Sequence, residues 1–129
     1  CRVALDESNG DYGKALEWIK KRSLAKAEKK AGRETVEGIV EPYIHGGGKV
    51  GVLVELLCET DFVAKTDEFH QLAREVAMQV AAMNPETVEE LLKQAYIRDG
   101  GTTIEQLVKA AIGKMGENIT VKRFVRFEI

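Results

Sequence analysis

Apolar and polar residues alternate most regularly over residues 49–58, which predicts a β-strand. One face of this strand is expected to carry Val50, Val52, Val54, Leu56 and Cys58. The preceding residues 35–44 alternate in part, and the sequence His45-Gly46-Gly47-Gly48 between the two segments predicts a hairpin loop. Pro42 lacks a backbone N–H, so it favours an edge position or a bulge for the first strand.

Helical spacing replaces this alternation after residue 66. Thr66 is the predicted N-cap of a long amphipathic helix, because Asp67 and Glu68 place negative charge in its first turn. The sequence Asn84-Pro85 is expected to end this helix. Its apolar row consists of Phe69, Leu72, Ala73, Val76, Ala77, Val80 and Met83. This row predicts a helix that buries one face.

Two further helices are predicted before the chain returns to alternation. The first covers roughly residues 87–96, and a turn at Asp99-Gly100-Gly101 follows it. The second comes directly after that turn, and Gly113 and Gly116 are expected to end it. Residues 118–129 then alternate and predict a strand that joins the hairpin in a three-stranded antiparallel sheet.

The first part of the chain is predicted to be helical. Apolar residues recur at helical spacing over residues 12–19, and the Lys- and Ala-rich residues 23–33 suit a connecting helix ended by Gly32. Two short helices bury little on their own, so we expect an incomplete helical module. The predicted fold is α+β, with residues 1–32 as a partial N-terminal module and linker helix and residues 33–129 as the core domain.

Composition narrows the possible functions. The 129 residues are 44% hydrophobic and 31% charged, which is typical of a soluble globular domain and excludes general disorder. A net charge of −2 argues against a dedicated nucleic-acid-binding protein, and no apolar run approaches the roughly 20 residues that span a bilayer. Cys1 and Cys58 are too few for a disulfide scaffold or a cysteine zinc site, so we expect neither a metal nor a cofactor.

Two patterns suggest active-site chemistry, and each has a simpler interpretation. The glycine loop before Lys49 lacks the spacing of a phosphate-binding loop, and no helix is predicted to begin there. Cys58 paired with His45 or His70 would form a nucleophile and a base, but its place in an apolar row favours a buried thiol. A small enzyme that uses Cys58 stays open as an alternative. So does an inert scaffold that binds a helical partner through the N-terminal helices.

The connection between the strand and the long helix contains adjacent apolar residues, Phe62 and Val63, that no core row explains. A protruding aromatic ring beside the Asp61 carboxylate is typical of a partner-binding wedge, because the ring fills a pocket while the carboxylate orients hydrogen bonds. The alternative is that Phe62 folds back under the sheet. We call residues 60–65 the wedge segment.

The run Cys58-Glu59-Thr60-Asp61-Phe62-Val63-Ala64-Lys65 resembles the signature of the elongation factor Ts family, the guanine-nucleotide exchange factors for elongation factor Tu. The resemblance extends in order over the chain. It includes part of a ubiquitin-associated-like N-terminal module, a core strand, the long helix, and a Gly-Glu-Asn motif before the closing strand. The matching residues are 14–21, 24–27, 50–55, 77–82, 116–119 and 122–124.

The resemblance implies a non-catalytic exchange factor that promotes GDP release from elongation factor Tu during translation. Such a factor binds the nucleotide-free state of Tu, and Asp61 and Phe62 would disturb the magnesium and phosphate site. Lys65 stands where the family often has Arg, which keeps the charge and loses the planar guanidinium. The implied Tu-binding residues are Thr60, Asp61, Phe62, Val63, Ala64 and Lys65.

Two departures from the family affect the expected assembly. The chain begins at Cys1, so the N-terminal surface that contacts Tu in the family is expected to be incomplete. The interval between Pro85 and Gly116 is short, so we expect neither the second core subdomain nor the coiled-coil insertion of longer members. Short members of this kind are similar to those that act as homodimers. The resemblance thus implies a homodimer in the cytoplasm, or in an organellar matrix or stroma, without direct contact with nucleic acid or membrane.

Overall fold

A computed structural model of the chain describes residues 32–129. The expected N-terminal helical module therefore lies almost wholly outside the described residues. Within them the chain folds as α+β, and no helix there has the length and apolar character needed to cross a membrane. The elements in chain order are β1 Glu37–His45, β2 Val50–Cys58, α1 Asp61–Ala64, α2 Asp67–Met83, α3 Val88–Lys93, β3 Ala95–Tyr96, β4 Asp99–Thr103, α4 Ile104–Met115 and β5 Ile119–Glu128.

The predicted three-stranded antiparallel sheet is confirmed, with strand order β1-β2-β5. Pro42 lies in β1 at the edge of the sheet, where it pairs with Leu53, so the expected edge position is also confirmed. Gly46, Gly47 and Gly48 connect β1 to β2 with φ of 65°, 72° and 90°. These left-handed backbone angles favour glycine, which explains the three consecutive glycines of the hairpin loop.

A bulge in β5 changes its alternation. Glu55 of β2 lies opposite Arg123, whereas the next residue, Leu56, lies opposite Val121, so Lys122 is the extra residue of the β5 strand. The inward-facing residues of β5 are therefore separated by three positions at this point, from Val121 to Phe124. The bulge accounts for an alternation that is only partly regular in the sequence.

Helix α2 covers the inner face of the sheet and forms the main core with it. Thr66 is its N-cap and accepts a hydrogen bond from the Phe69 amide, and the helix ends at Asn84, both as predicted. Asn84 adopts the left-handed conformation. Met83, predicted to be in the same apolar row, is 51% exposed at the helix end. The buried hydrophobic residues from the sheet and this helix are Val52, Val54, Leu56, Cys58, Phe69, Leu72, Ala73, Val76, Ala77, Val80, Ala81, Ile119 and Val121.

The region after α2 differs from the sequence prediction. The helix expected over residues 87–96 ends at Lys93, and the residues expected to form a turn at 99–101 belong to strand β4. Ala95–Tyr96 pairs with Asp99–Thr103, so the actual turn is at Ile97 and Arg98. The prediction was wrong because a tertiary contact with α2, rather than local propensity, determines where the helix ends.

Gln79 of α2 makes that tertiary contact. Its side chain is fully buried; Nε2 donates to the Ala95 carbonyl at 3.0 Å, and Oε1 accepts from the Ile97 amide at 3.0 Å. One turn away on α2, the Glu75 carboxylate accepts from the Tyr96 hydroxyl at 2.6 Å and pairs with Arg98 at 3.1 Å. The two side chains together hold the β3–β4 hairpin against the long helix.

Helix α4 then leads the chain back to the sheet. Thr103 begins it with a capping box in which Gln106 is the reciprocal partner. Gly113 lies within the helix, and Gly116 ends it with φ of 77°. Only the second of the two predicted helix-ending glycines therefore has that role, because only Gly116 adopts the left-handed conformation that releases the chain into β5.

We predict that Gln79→Ala lowers the free energy of unfolding by about 1–3 kcal/mol, because the Ile97 amide and the Ala95 carbonyl lose a buried partner. Chemical denaturation measures this loss. Arg74→Ala on the exposed side of the same helix is the control, with an expected change below about 1 kcal/mol. Equal losses in the two variants would show that Gln79 does not hold the hairpin.

Candidate functional site

The wedge segment forms a sharp turn between the sheet and α2. Residues Asp61–Ala64 make the short helix α1, and Thr60 is its N-cap, in extended conformation. Phe62 is 78% exposed, so the alternative in which its ring folds back under the sheet is wrong. Large exposed aromatic side chains away from the core mark binding surfaces more often than a single exposed aliphatic residue does.

Two neighbours of Phe62 fix the segment to the core. Val63 and Ala64 are each only 6% exposed and belong to the hydrophobic core. The Thr66 hydroxyl donates to the Val63 carbonyl at 2.7 Å, so the end of α1 is bonded to the beginning of α2. Val63 and Ala64 anchor the turn from below, whereas Thr60, Asp61, Phe62 and Lys65 are exposed.

The start of the wedge segment is held by the residue pair that precedes β5. The Glu117 carboxylate accepts from the Thr60 amide at 3.0 Å and from the Thr60 hydroxyl at 2.6 Å. In the opposite direction, the Glu59 carboxylate accepts from the Asn118 amide at 2.6 Å. Sequence reasoning missed the roles of Glu59 and Glu117, although the Gly-Glu-Asn motif directly before the closing strand was a signal for them.

The charged groups of the wedge segment lie in solvent. Lys65 Nζ is 3.6 Å from Asp61 Oδ2, and both side chains are more than half exposed. Ion pairs of this kind contribute at most about 1 kcal/mol to stability, so either side chain is available for other contacts. Arg33 is 3.7 Å from Glu59. The Glu59 carboxylate, unlike Asp61 and Lys65, is mostly buried and accepts from the Asn118 amide, so it is not available for other contacts.

Cys58 has the environment of a structural thiol. It is fully buried at the end of β2, and its Sγ donates to the Thr60 carbonyl at 3.1 Å. Burial, with a further contribution from the Glu117 charge, raises the pKa of the thiol to about 11. The interpretation of Cys58 as a buried thiol is confirmed, because a reactive cysteine needs a lowered pKa and access to solvent.

The two histidines lie in other surroundings. His45 Nδ1 is 3.2 Å from the Tyr43 hydroxyl, and the two rings stack with centroids 5.9 Å apart. His70 lies 4.0 Å from Glu41 on the helix that covers the sheet. Within residues 32–129, His, Cys, Asp and Glu do not form a group of three or more that could hold a metal ion.

These features define an α+β domain that presents an aromatic side chain on a fixed turn, which is the arrangement of a protein-binding domain. Comparison with known proteins makes this more specific. The family model described as elongation factor TS matches residues 59–129, which include the wedge segment and β5.

Curated relatives match over the whole chain. Elongation factor Ts of Carboxydothermus hydrogenoformans is 42% identical over all of this chain and 80% of its own length. The corresponding proteins of Rippkaea orientalis and Fervidobacterium nodosum are each 41% identical, over 98% and 100% of this chain and 70% and 88% of their own lengths. The chain belongs to the elongation factor Ts family and is a translation elongation factor.

The alignments also show a difference in length. The alignment with the C. hydrogenoformans relative runs over 174 positions, whereas the chain has 129 residues. Because the whole chain is included in the alignment, the relative carries residues within the aligned region that this chain lacks.

We predict that Cys58 resists alkylation in the folded protein at neutral pH. Raising the thiol pKa from 9.0 to about 11 lowers the thiolate fraction about 100-fold, and burial blocks access as well. Iodoacetamide labelling of a Cys1→Ser variant, followed by mass spectrometry, measures the rate for Cys58 alone. Labelling of the folded protein as fast as that of the urea-unfolded chain would contradict the buried-thiol assignment.

Proposed function

We propose that this protein is the guanine-nucleotide exchange factor that releases GDP from elongation factor Tu during translation elongation. The single observation that carries the proposal is the exposure of Phe62 on a fixed turn beside Asp61, in a chain of the elongation factor Ts family. An aromatic side chain that the core does not use is suited to fill a pocket on a partner. We propose that this activity requires no bond chemistry in the protein itself.

The proposed mechanism is differential binding. An exchange protein that binds nucleotide-free Tu more tightly than GDP-bound Tu also lowers the affinity of Tu for GDP. The two affinity ratios are equal, because the coupling free energy between the two binding events is reciprocal. Phe62 and Asp61 would enter beside the magnesium and phosphate site of Tu. Magnesium neutralises much of the phosphate charge, so a displaced magnesium ligand weakens GDP binding.

Within the wedge segment we propose a division of roles. Asp61, Phe62 and Lys65 are exposed and would contact Tu directly. Thr60, Val63 and Ala64 would act as the support, since Thr60 is bonded to Glu117 and the other two lie in the core. A rigid support matters because a side chain held in its binding geometry loses less entropy on association.

We further propose that residues 1–32 form the helical module that gives a second contact with Tu and that residues 33–129 form the core. Exchange would occur where the ribosomes of the cell are, in the cytoplasm or in an organelle. We propose that the exchange activity requires neither a cofactor nor a metal bound to this protein, and no direct contact with nucleic acid or membrane.

We also propose that the protein acts as a homodimer through the outer face of its sheet. Residues opposite one another on neighbouring strands share a face, and two such rows are apolar on the outer side: Ile44, Gly51 and Phe127, and Pro42, Leu53 and Val125. An ion pair between Glu55 and Arg123 borders these rows. Exposed apolar surface with a polar rim is typical of an interface between proteins.

A second copy is the occupant that fits this face. The C. hydrogenoformans relative carries residues within the aligned region that this chain lacks. The family resemblance implies that longer members build a second core subdomain from such residues. A two-fold dimer would bring two identical apolar rows together and leave the polar rims facing each other. The copy would thereby supply the surface that longer members build from their own chain.

We predict that Phe62→Ala leaves the fold unchanged and weakens the complex with nucleotide-free Tu by about 2 kcal/mol, as expected for a central aromatic anchor. Release of fluorescent GDP from Tu at increasing concentrations of the protein measures the effect. The matched control is Phe69→Ala, because Phe69 is fully buried and its truncation lowers the stability by about 3–5 kcal/mol.

Thermal unfolding separates the two variants. Phe62→Ala is expected to unfold at the wild-type temperature and to exchange slowly, whereas Phe69→Ala unfolds early. A Phe62→Ala protein that releases GDP from Tu at the wild-type rate would remove the wedge from the mechanism. Absence of any effect of the wild-type protein on GDP release would reject the exchange function itself.

We predict that the protein sediments as a dimer at micromolar concentration and that Leu53→Lys converts it to a monomer, because a buried unpaired ammonium opposes association. Ile97→Lys is the matched control. Ile97 is 44% exposed and Leu53 is 46% exposed, but Ile97 lies at the β3–β4 turn, away from the sheet face. A wild-type monomer, or dissociation by both substitutions, would exclude the sheet face as the interface.

A further inference from the structure

Two carboxylates continue the pairing of β2 with β5 beyond its last backbone pair, Cys58 with Ile119. The Glu59 side chain accepts a hydrogen bond from the Asn118 amide at 2.6 Å, and the Glu117 side chain accepts one from the Thr60 amide at 3.0 Å. The two interactions bond the same two chain segments in opposite directions. Only the Glu117 interaction, however, ends on a residue of the wedge segment.

Thr60 connects Glu117 to the helix that carries Phe62. Its hydroxyl donates to Glu117 at 2.6 Å, and the same oxygen accepts from the Val63 amide at 3.5 Å. A hydroxyl has one proton and two lone pairs, so both bonds form together. Glu117 therefore fixes the direction of the proton and leaves a lone pair of Thr60 directed at the first turn of α1.

Helix α1 is too short to be stable by itself. It has four residues, far fewer than the roughly 12–15 that give an isolated helix marginal stability. Phe62 is exposed and supplies no packing. The orientation of the ring thus depends on the two ends of the turn, namely Thr60 at its start and the buried Val63 and Ala64 at its end.

We propose that Glu117 is a positioning residue for nucleotide exchange, which acts through Thr60 to hold Phe62 in the direction required for insertion into Tu. The proposal rests on the proposed exchange function. Glu117 itself does not need to touch Tu. Its two bonds to Thr60 are charge-assisted, and such bonds are stronger and more directional than those between neutral groups.

A double-mutant cycle with Phe62 tests this role. Glu117→Ala is expected to slow GDP release from Tu at least about tenfold, because two hydrogen bonds to a charged group are lost. In a Phe62→Ala background the same substitution is expected to change the rate less than about twofold, since a positioning residue has no effect once the positioned ring is absent. In Glu117→Gln the side-chain carbonyl can still accept from the Thr60 amide, while the side-chain NH2 donates to the Thr60 hydroxyl oxygen, the reverse of the wild-type bond. That oxygen has two lone pairs and can also accept from the Val63 amide, so this variant is expected to stay within about threefold of wild type.

Glu59→Ala is the matched control. It removes a neighbouring carboxylate from the same junction but releases the Asn118 amide instead of Thr60. Its effect on exchange is expected to be the same with and without Phe62. Amide hydrogen exchange of the free protein gives a readout that does not depend on Tu: the Thr60 amide loses its protection in Glu117→Ala and keeps it in Glu59→Ala.

The outcomes separate this proposal from the exchange function. If the wild-type protein does not accelerate GDP release, the exchange function and the positioning role are both rejected. If it does, and Glu117→Ala slows release equally with and without Phe62, only the positioning role is overturned. Thr60→Val is the second variant if Glu117→Ala does not fold, because it removes the hydroxyl bond and is expected to show the same dependence on Phe62.

Discussion

The packing of helix α2 against the inner face of the sheet is the interaction on which the rest of the structure depends. Phe69, Val76 and Val80 of the helix and Val54 and Leu56 of the central strand are all fully buried. Every other part of the described chain is attached to this pair of elements. The β3–β4 hairpin is bonded to α2 through its polar side chains, and Arg126 of β5 donates to the Ala81 carbonyl near the end of the same helix. A single helix layer also explains why the opposite face of the sheet has no cover within the described residues.

The wedge segment shows how an exposed aromatic side chain is held without burying it. Hydrophobic burial normally fixes the rotamer and backbone of a Phe, but burial would remove Phe62 from any partner. The chain places the apolar contacts one and two residues later, at Val63 and Ala64, and uses polar bonds at Thr60 and Thr66 for the two ends. The turn is therefore anchored by its neighbours, while the ring itself contributes nothing to the core.

The same junction accounts for the inert character of Cys58. Its sulfur lies directly beneath the wedge segment and donates to the Thr60 carbonyl, in apolar surroundings that hold the thiol protonated. A nucleophile at this position would need a base nearby, whereas both histidines of the chain lie in other contacts. The geometry suits a protein that works by shape and contact, as the proposed exchange mechanism requires.

Local periodicity in the sequence determined much of the fold. The inward row of β2 follows from residues two positions apart, and the edge position of Pro42 and the caps Thr66 and Asn84 follow from residue type. The same patterns placed Phe62 outside every apolar row, but only the structure showed that its ring is exposed. The family resemblance of the wedge segment was also readable from the sequence alone. Such patterns indicate which side of an element is buried. That information is sufficient to predict the α+β fold class.

Tertiary structure alone decided the remaining features, because they depend on residues far apart in the chain. The end of α3 follows from contacts of Gln79 with residues 15–18 positions later, and the bulge at Lys122 follows from the pairing of β5 with β2. Glu117 meets Thr60 across 57 positions only because the sheet brings the two strand ends together. No local pattern specifies such a meeting, since side-chain periodicity encodes the face of an element and not its neighbour in space.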